Sequence, residues 1–505
     1  MPENLASFKV FCQGGLNTSR DVLSQGENQP GSATALINYE PAVTGGYRKI
    51  NGFANNYGTV TGTGSVLGVV VADGINDGIF ACRKPSSGNN YLHKWNNSSS
   101  AWQAITTSGS PTMVGVTKVR FSRLNFGTPK IVLTDGINPA ATYDGTTYTQ
   151  ITHSDAPTDP KFSAIFQNHL FLAGDPAHPT KLYHSAPLAE TDFASGNGAG
   201  VINVGFPIVA IKSFRNELFI FGATNIKKLS GTALANFTVQ TVTDDLGCLA
   251  TDSVIEIGGD LLFLSQDGLR PISGTAKIGD VNLETVSKNI QSIFTDIVFD
   301  IDLDTLNAVV IRQKTQFRYF FGAADSQGII GGFRQTPNGL QFEYSQMLGI
   351  TATCAHSGYI GQNEIVLHGT SDGKVQQQES GNSFGGDPIF SIFQTPFFHM
   401  QDPEQRKIFY NIATYLRSEG DNSIVMSAAY DYEDVDTLNP TNFNLSTTGA
   451  AAFFNEATYN STAIFDGNPS PVQRTNISGS GKSASFKFVT NDTNASHSVQ
   501  GLVIT

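Results

Sequence analysis

Charge and tryptophan are both scarce in this chain of 505 residues. Charged residues make up 15% of it, against about 25% in an average soluble domain. Only 2 tryptophans occur, although there are 35 phenylalanines. The hydrophobic content of 39% is ample for a core, so the composition excludes an intrinsically disordered chain. The 51 glycines favour many short strands joined by turns over long helices.

Cysteine is nearly absent, and long apolar runs are missing. Four cysteines lie far apart, without any C-x-x-C pair: Cys12, Cys82, Cys248 and Cys354. This spacing matches neither a structural zinc site nor a disulfide framework, so we expect four free thiols in a reducing compartment. No run of 18 apolar residues occurs, which predicts no transmembrane helix. The first residues lack the basic and apolar segments of a signal peptide.

Acidic residues outnumber basic residues, and the formal net charge is −12. A protein that wraps nucleic acid by neutralising phosphates is normally basic. An acidic protein can still handle DNA if its task is to let DNA slide past without adhering. Taken alone, the net charge indicates ordinary solubility.

One apolar phrase recurs along the chain. It is most regular at 216–222 (Asn-Glu-Leu-Phe-Ile-Phe-Gly), with near copies at 168–174 and 363–369. Looser copies lie at 68–74, 130–136, 259–265 and 316–322. Each copy predicts a strand buried on both faces and ended by a turn. A repeat of this size without helices between copies is typical of propellers or arrays.

Each repeat predicts three or four antiparallel strands, which describes a propeller blade. The fold expected is an all-β chain with a β-propeller of about six or seven blades. The expected domains are an N-terminal β arm at 1–60, the propeller at 61–390 and a C-terminal antiparallel, sandwich-like β domain at 391–505. The alternative is a β-sandwich, or stacked β domains whose hairpins look alike.

A different pattern interrupts the repeats at 281–294. Apolar residues there have helical spacing and predict a short amphipathic helix. Four acids follow it: Asp296, Asp300, Asp302 and Asp304. A calcium loop of the EF-hand type starting at Asp300 would need glycine and glutamate where Thr305 and Ile311 stand, so that motif fails. We expect instead a strand with a solvated acidic face.

Short catalytic motifs are missing from the sequence. There is no Gly-x-Ser-x-Gly elbow, no His-Glu-x-x-His zinc motif and no phosphate-binding loop. The turn at Asp267 and Gly268 departs from the Asp-box of sialidase propellers, because glycine directly follows the aspartate and no tryptophan comes after it. These absences lead us to expect neither an enzyme, nor a cofactor, nor a metal site.

The segment at 36–53 (Leu-Ile-Asn-Tyr-Glu-Pro-Ala-Val-Thr-Gly-Gly-Tyr-Arg-Lys-Ile-Asn-Gly-Phe) resembles the N-terminal region of tail nozzle proteins of short-tailed bacteriophages, also called tail tubular protein B or packaged-DNA stabilisation protein. The segments at 267–273, 278–280, 286–290 and 406–431 are similar to parts of the same proteins. The resemblance implies a propeller with extra β domains, assembled as a ring of six in the virion tail after synthesis in the bacterial cytoplasm. Implied partners are a tail adaptor above, fibres or spikes nearby, and double-stranded DNA in transit without sequence specificity.

Two functions from different classes follow from these observations. The first is a structural nozzle that retains packaged DNA and conducts it during ejection. Under this hypothesis, some of Asp296, Asp300, Asp302 and Asp304 line the DNA channel. The second is a carbohydrate-binding or glycan-cleaving propeller of the tail fibre or spike type, against which the scarcity of tryptophan argues. A neighbouring phage component, such as a head-closure ring or receptor-binding fibre, is a third possibility.

Overall fold

The computed structural model describes residues 6–43, 45–275, 285–300, 302–322, 327–336, 339–400, 402–434, 436–447 and 472–505. The described residues are almost entirely β-structure. Their α-helices are short: α1 (Val22–Asn28), α2 (Ile272–Thr275) and α3 (Gln291–Asp300). Single 3₁₀ turns lie at Ser195–Asn197, Leu234–Asn236, Thr251–Ser253, Lys288–Ile290, Arg312–Lys314 and Asp431–Glu433.

The chain begins with five short strands, most of which pair with strands from distant parts of the chain. They are β1 (Phe8–Phe11), β2 (Ala35–Ile37), β3 (Tyr39–Pro41), β4 (Tyr47–Lys49) and β5 (Phe53–Ala54). Only β3 and β4 form a hairpin together.

Small antiparallel sheets then follow in chain order, and each is one blade. The first four blades have four strands each: β6 to β9 (Thr63–Val71, Ile79–Lys84, Leu92–Asn96, Ala101–Ala104), β10 to β13 (Arg120–Asn125, Pro129–Thr134, Ala141–Tyr143, Tyr148–Gln150), β14 to β17 (Phe162–Phe166, His169–Ala173, Lys181–His184, Gly200–Asn203), and β18 to β21 (Ala210–Phe214, Glu217–Phe221, Ile226–Ser230, Thr238–Thr243).

Three more blades complete the set. They are β22 to β24 (Ile255–Ile257, Asp260–Ser265, Gly268–Pro271), β25 to β28 (Asn307–Ile311, Gln316–Phe320, Gln327–Thr336, Gly339–Leu348), and β29 to β31 (Cys354–Ile360, Asn363–Gly369, Val375–Gln378). The described residues thus form seven blades. The innermost strands of six blades, and the residues just before the innermost strand of blade five, line one axial channel. The last blade packs against the first through β29 and β6. The predicted β-propeller is confirmed, with seven blades.

The ring is closed by a strand from the start of the chain. Strand β5 pairs antiparallel with β31 and so supplies the fourth strand of blade seven. Phe53 in β5 stacks on Phe384, with ring centroids 5.2 Å apart. Two distant parts of the chain therefore meet in one blade.

The recurrent phrase forms the second strand from the axis in six of the blades: β11, β15, β19, β23, β26 and β30. In the first blade the copy at 68–74 falls instead on the innermost strand, β6. Strand β19 shows why the phrase is apolar throughout. Leu218 and Ile220 pack in the core towards blade three, whereas Phe219 and Phe221 pack in the core towards blade five.

A sandwich of two sheets follows the propeller. Its later strands are β32 (Ile389–Gln394), β33 (Lys407–Ser418), β34 (Ser423–Tyr430), β35 (Phe443–Ser446), β36 (Val472–Gly481), β37 (Ala484–Asp492) and β38 (His497–Ile504). One sheet has the order β3-β4-β38-β33-β36, with β1 also on β38. The other has the order β2-β32-β37-β34-β35, and β2 joins it to blade six through β28.

The helix begins further along the chain than the predicted position at 281–294. Residues 281–284 lie outside the described part, and the regular helix α3 begins only at Gln291, after a 3₁₀ turn. The expected strand with an acidic face is wrong, because α3 extends to Asp300 and a turn precedes β25. The apolar side chains of Ile290 and Phe294 are buried in the main core, which holds the helix against the propeller.

Candidate functional site: the axial channel

The axial channel of the propeller is a cavity of about 520 Å³. Six blades contribute residues of their innermost strands to its wall, and blade five contributes the residues just before its innermost strand. Its charged lining residues are Lys118, Arg120, Arg123, Lys212 and Asp252. Although the chain has a net charge of −12, its described residues place four cations and one carboxylate around the axis.

One end of the channel is crossed by a compact group of ion pairs. Asp252, just before blade five, accepts hydrogen bonds from Arg120 Nε at 3.0 Å and Arg120 Nη2 at 2.8 Å. Lys118 Nζ lies 2.7 Å from Asp252 Oδ2 and donates to the carbonyl oxygen of Leu306 at 3.0 Å. These contacts tie blades two, five and six together across the axis.

The protonation of this group follows from its surroundings. Burial acts to raise the pKa of Asp252, but Lys118 and Arg120 outweigh it and hold that pKa well below its usual range. Burial lowers the pKa of Lys118, and Asp252 opposes the shift. A charged, mutually hydrogen-bonded group is therefore the stable state at neutral pH.

The other half of the channel is cationic without comparable pairing. Burial lowers the pKa of Lys212, with the charge of Glu256 opposing it. Burial, followed by the charges of Lys212, Arg312 and Arg123, lowers the pKa of His356 to about 4. The imidazole is therefore neutral at pH 7.

Asp296, Asp302 and Asp304 are not among the residues that line this channel. Asp296 is exposed on α3, and Asp300 is the last residue of that helix. The structure brings Asp302 and Asp304 together in the turn before β25, where the backbone N–H of Asp304 donates to Asp302 Oδ1 at 3.1 Å. Asp304 Oδ1 also lies 3.4 Å from Lys161 Nζ, an exposed pair. Whether these acids face a channel formed by several copies stays a prediction.

The channel cations were missed in the sequence. A weak signal existed, since Lys118, Arg120 and Ser122 alternate with apolar residues, as in a strand with one polar face. Nothing in the sequence indicates that this face points at the axis, because that depends on which strand of the blade is innermost.

The segment at 36–53, which carries the family resemblance, is a second candidate site. It joins the propeller to the sandwich. The side-chain amide of Asn38 donates to the carbonyl oxygens of Leu348 in blade six and Phe390 in the sandwich, both at 2.8 Å. Its side-chain oxygen accepts the backbone N–H of Leu348 at 2.9 Å. Tyr39 contacts His497 through a hydrogen bond of 2.9 Å between its hydroxyl and Nε2.

Glu40 stands at the centre of a buried charge network in this joint. Its carboxylate lies 3.0 Å from Arg48 Nη1, 2.7 Å from Lys314 Nζ and 3.5 Å from Arg318 Nη2. Burial acts to raise the pKa of Glu40, but Lys314, Arg48 and Arg318 lower it to about 2. A second carboxylate, Glu379, pairs with both Lys314 and Arg318.

Two glycines of the segment are required by close backbone contacts. A Cβ on Gly46 would lie 2.2 Å from the carbonyl oxygen of Val499, and its φ is +83°. A Cβ on Gly52 would lie 1.9 Å from the carbonyl oxygen of Ser383. The motif is thus explained by packing. Of the other similar segments, 278–280 lies outside the described residues.

Metal ligands do not converge in the described part of the chain, where no group of three or more His, Cys, Asp or Glu could hold an ion. The four cysteines are all buried and free. Burial raises the pKa of the Cys12 thiol to about 12, so that thiol is a packed side chain rather than a reactive one. Among the helices that the structure describes, none is long and apolar enough to cross a membrane.

Comparison with known proteins gives no family. No family model matches the chain, and no curated protein matches it. The extracellular domain of BT4673 from B. thetaiotaomicron superposes with a TM-score of 0.41 and 13% identity, over 74% of this chain and 44% of that one. An ancestral GH74 enzyme gives a TM-score of 0.39 and 11% identity, over 75% and 53%. Hsv2p of Kluyveromyces lactis gives 0.31 and 8%, over 54% and 82%.

These likenesses concern the fold alone. The chain spans about half or less of the length of the first two of these structures. Shared architecture does not carry a shared activity, because function resides in the site built on the fold.

The expectation that the chain is not an enzyme is contradicted by the comparison, since an enzyme is among the similar structures. That expectation rested on missing short motifs. Glycoside hydrolases act through two carboxylates that folding brings to within roughly 5 to 10 Å of each other, with no fixed spacing in sequence. The absence of a short motif therefore does not exclude catalysis.

Proposed function

We propose that this protein is a structural component of a phage virion: the tail nozzle, assembled as a ring of copies around the path of the DNA. The observation that carries the proposal is the role of the segment at 36–53. Within this segment of the N-terminal arm, Asn38 contacts both propeller and sandwich, Glu40 contacts the propeller and Arg48 contacts the sandwich. Gly52 packs closely on the segment between blade seven and the sandwich. Chains that share this motif are therefore expected to share the whole architecture.

The DNA path in this proposal lies between copies, not through a propeller. The Lys118–Asp252 contact of 2.7 Å crosses the axial channel, whereas the major groove of a duplex alone is about 12 Å wide. A ring of identical subunits around one axis makes head-to-tail contacts that close on themselves. Such a ring leaves a central opening whose width is set by the number of copies.

Exposed apolar side chains on the sandwich support contacts between copies. Phe11 and Tyr415 flank Gly501 on one face of the sheet, because both pair with it in register. They are 70% and 40% exposed, and Ile408 and Tyr410 on the same strand as Tyr415 are 63% and 49% exposed. Exposed apolar patches of this kind are typical of protein–protein contacts.

The acidic composition also supports the proposal. A net charge of −12 disfavours adhesion of phosphate to the wall of a ring, so DNA remains free to move. Asp296, Asp302 and Asp304 are exposed acids that could contribute to such a wall, and their assignment to it belongs to this proposal.

Electron microscopy and native mass spectrometry of the purified full chain test the proposal. The expected result is closed rings with sixfold symmetry, formed alone or on addition of the phage adaptor. A double variant, Phe11→Ser with Tyr415→Ser, should weaken ring formation, whereas Tyr359→Ser, which alters a residue 38% exposed on blade seven, should not.

A different outcome would favour the glycan hypothesis. If the chain stays monomeric at high concentration, with and without the adaptor, and either binds or degrades a bacterial surface polysaccharide, the nozzle proposal is wrong. Rings that form while the chain shows no affinity for polysaccharide would support it.

A further inference from the structure

The cationic half of the axial channel holds charge that the protein itself does not neutralise. Lys212 lies in the innermost strand of blade four, half-buried and lining the cavity. Glu256 acts on it only through its charge, and among the described residues Lys212 makes no ion pair with a carboxylate. A half-buried cation without a carboxylate partner is partly desolvated, and a bound anion offsets that cost.

A second cation of the cavity has only a neutral partner. Arg123, in blade two, donates from Nη2 to the carbonyl oxygen of Asp73 at 2.6 Å. That hydrogen bond satisfies one N–H of a side chain that is otherwise exposed to solvent, and among the described residues no carboxylate forms an ion pair with it. Arg312 differs, because its Nη1 lies 3.7 Å from Glu364, whose carboxylate also accepts the backbone N–H groups of Arg312 and Gln313.

His356 adds a neutral donor to the same cavity. The backbone N–H of Val71 donates to His356 Nδ1 at 3.2 Å, which requires that Nδ1 carry no proton. The proton of the neutral ring therefore lies on Nε2, as a hydrogen-bond donor. His356 is itself among the residues that line the cavity.

The geometry points to a binding site for a small, multiply charged oxyanion in the axial channel: the phosphate or polycarboxylate group of a low-mass compound. Lys212 and Arg123 supply charge from two blades, and His356 supplies a neutral N–H. The cavity of about 520 Å³ falls in the range of small-molecule sites, ~300–1,000 Å³. This site is independent of the ring proposed above, since it lies within one propeller.

The position of the site sets how the ligand enters. Lys118, Arg120 and Asp252 occupy the opposite end with their own hydrogen bonds. The ligand therefore approaches from the end where Arg123 and Arg312 lie. A duplex is excluded by the crossing ion pairs, so the expected ligand is small.

Isothermal titration calorimetry of the full chain tests the inference, with sodium phosphate and sodium citrate as separate probes at pH 7 and low salt. We expect saturable binding of one anion per chain for at least one probe. Lys212→Met should weaken it roughly 10- to 100-fold, the range given by loss of one charge-assisted hydrogen bond. Binding of phosphate only, or of citrate only, identifies which oxyanion chemistry the site prefers.

Lys94→Met is the matched control, because Lys94 is also half-buried on a strand but lies in β8, away from the axis. It should leave the affinity unchanged. Arg123→Met, from a different blade, serves as the second variant if Lys212→Met does not fold, as judged by circular dichroism. The inference is overturned if neither probe binds saturably, or if the control weakens binding as much as the channel variants do.

Discussion

Glu40 and Arg318 face each other with both side chains buried, Glu40 Oε2 lying 3.5 Å from Arg318 Nη2. Glu40 belongs to the N-terminal strand β3 and Arg318 to β26 of blade six. The pair therefore joins the start of the chain to the propeller, with Lys314, Arg48 and Glu379 completing the network. Such a network tolerates loss of a partner poorly, because the charges left behind remain buried.

Glu40→Gln should lower the free energy of unfolding by about 3 kcal/mol, the cost of removing one partner from a buried charge network. Glu379 remains paired with Lys314 and Arg318. Urea denaturation followed by fluorescence measures this. Glu217→Gln is the matched control, because Glu217 pairs with Lys228 at 2.7 Å where both side chains are about 30% exposed. Its effect should stay below ~1 kcal/mol. Equal losses in the two variants would show that the buried network is no more important than a surface pair.

Lowering the pH should remove the contribution of Glu40 to the free energy of unfolding over a defined range. Its folded pKa is about 2, below the unfolded value of about 4.3, so the unfolded state binds a proton first as pH falls. The contribution is complete above about pH 4.5 and is lost as pH falls towards 2. The difference in unfolding free energy between wild type and Glu40→Gln should shrink over that range. A difference that stays constant from pH 6 to pH 2.5 would contradict the assigned pKa.

Gly52→Ala should destabilise the pairing of β5 with β31 in blade seven. The new Cβ would meet the carbonyl oxygen of Ser383 at 1.9 Å, so β5 would have to move away from blade seven. A loss of roughly 1–3 kcal/mol is expected, as for other overpacked sites, together with faster proteolysis of the N-terminal arm. Gly196→Ala is the control, since no atom lies within 4 Å of its added Cβ. Similar proteolysis of both variants would argue that β5 does not hold the ring closed.

Replacing Asp296, Asp302 and Asp304 by lysine tests the wall of the proposed DNA channel. The triple variant should make the assembled ring bind duplex DNA, with affinity that falls steeply as salt rises. Filter binding at several salt concentrations measures this. The control triple replaces exposed acids elsewhere, Asp245, Asp387 and Asp421, and changes the net charge equally. If both triples bind DNA alike, net charge alone is responsible and these three acids do not line the channel.

The spacing of the acids from Asp296 to Asp304 does not by itself predict their secondary structure. The spacing of Ile290 and Phe294 correctly predicts helical structure, whereas the alternating acids beyond it wrongly predict a strand. In the structure the helix continues to Asp300 and a turn follows. Solvated acids fit a helix end, a turn or a strand equally well, so only packing of the neighbouring apolar residues decides between them.

Local sequence was enough to predict the blade strands and the propeller, because a strand covered on both faces must be apolar throughout, as Leu218 to Phe221 are. The blade number, the closing role of β5 and the cations around the axis were decided only by the tertiary structure. Each of them depends on which distant strands become neighbours. Phe53 stacks on Phe384, and Lys212 and His356 line one cavity from blades four and seven. No local pattern records these neighbours.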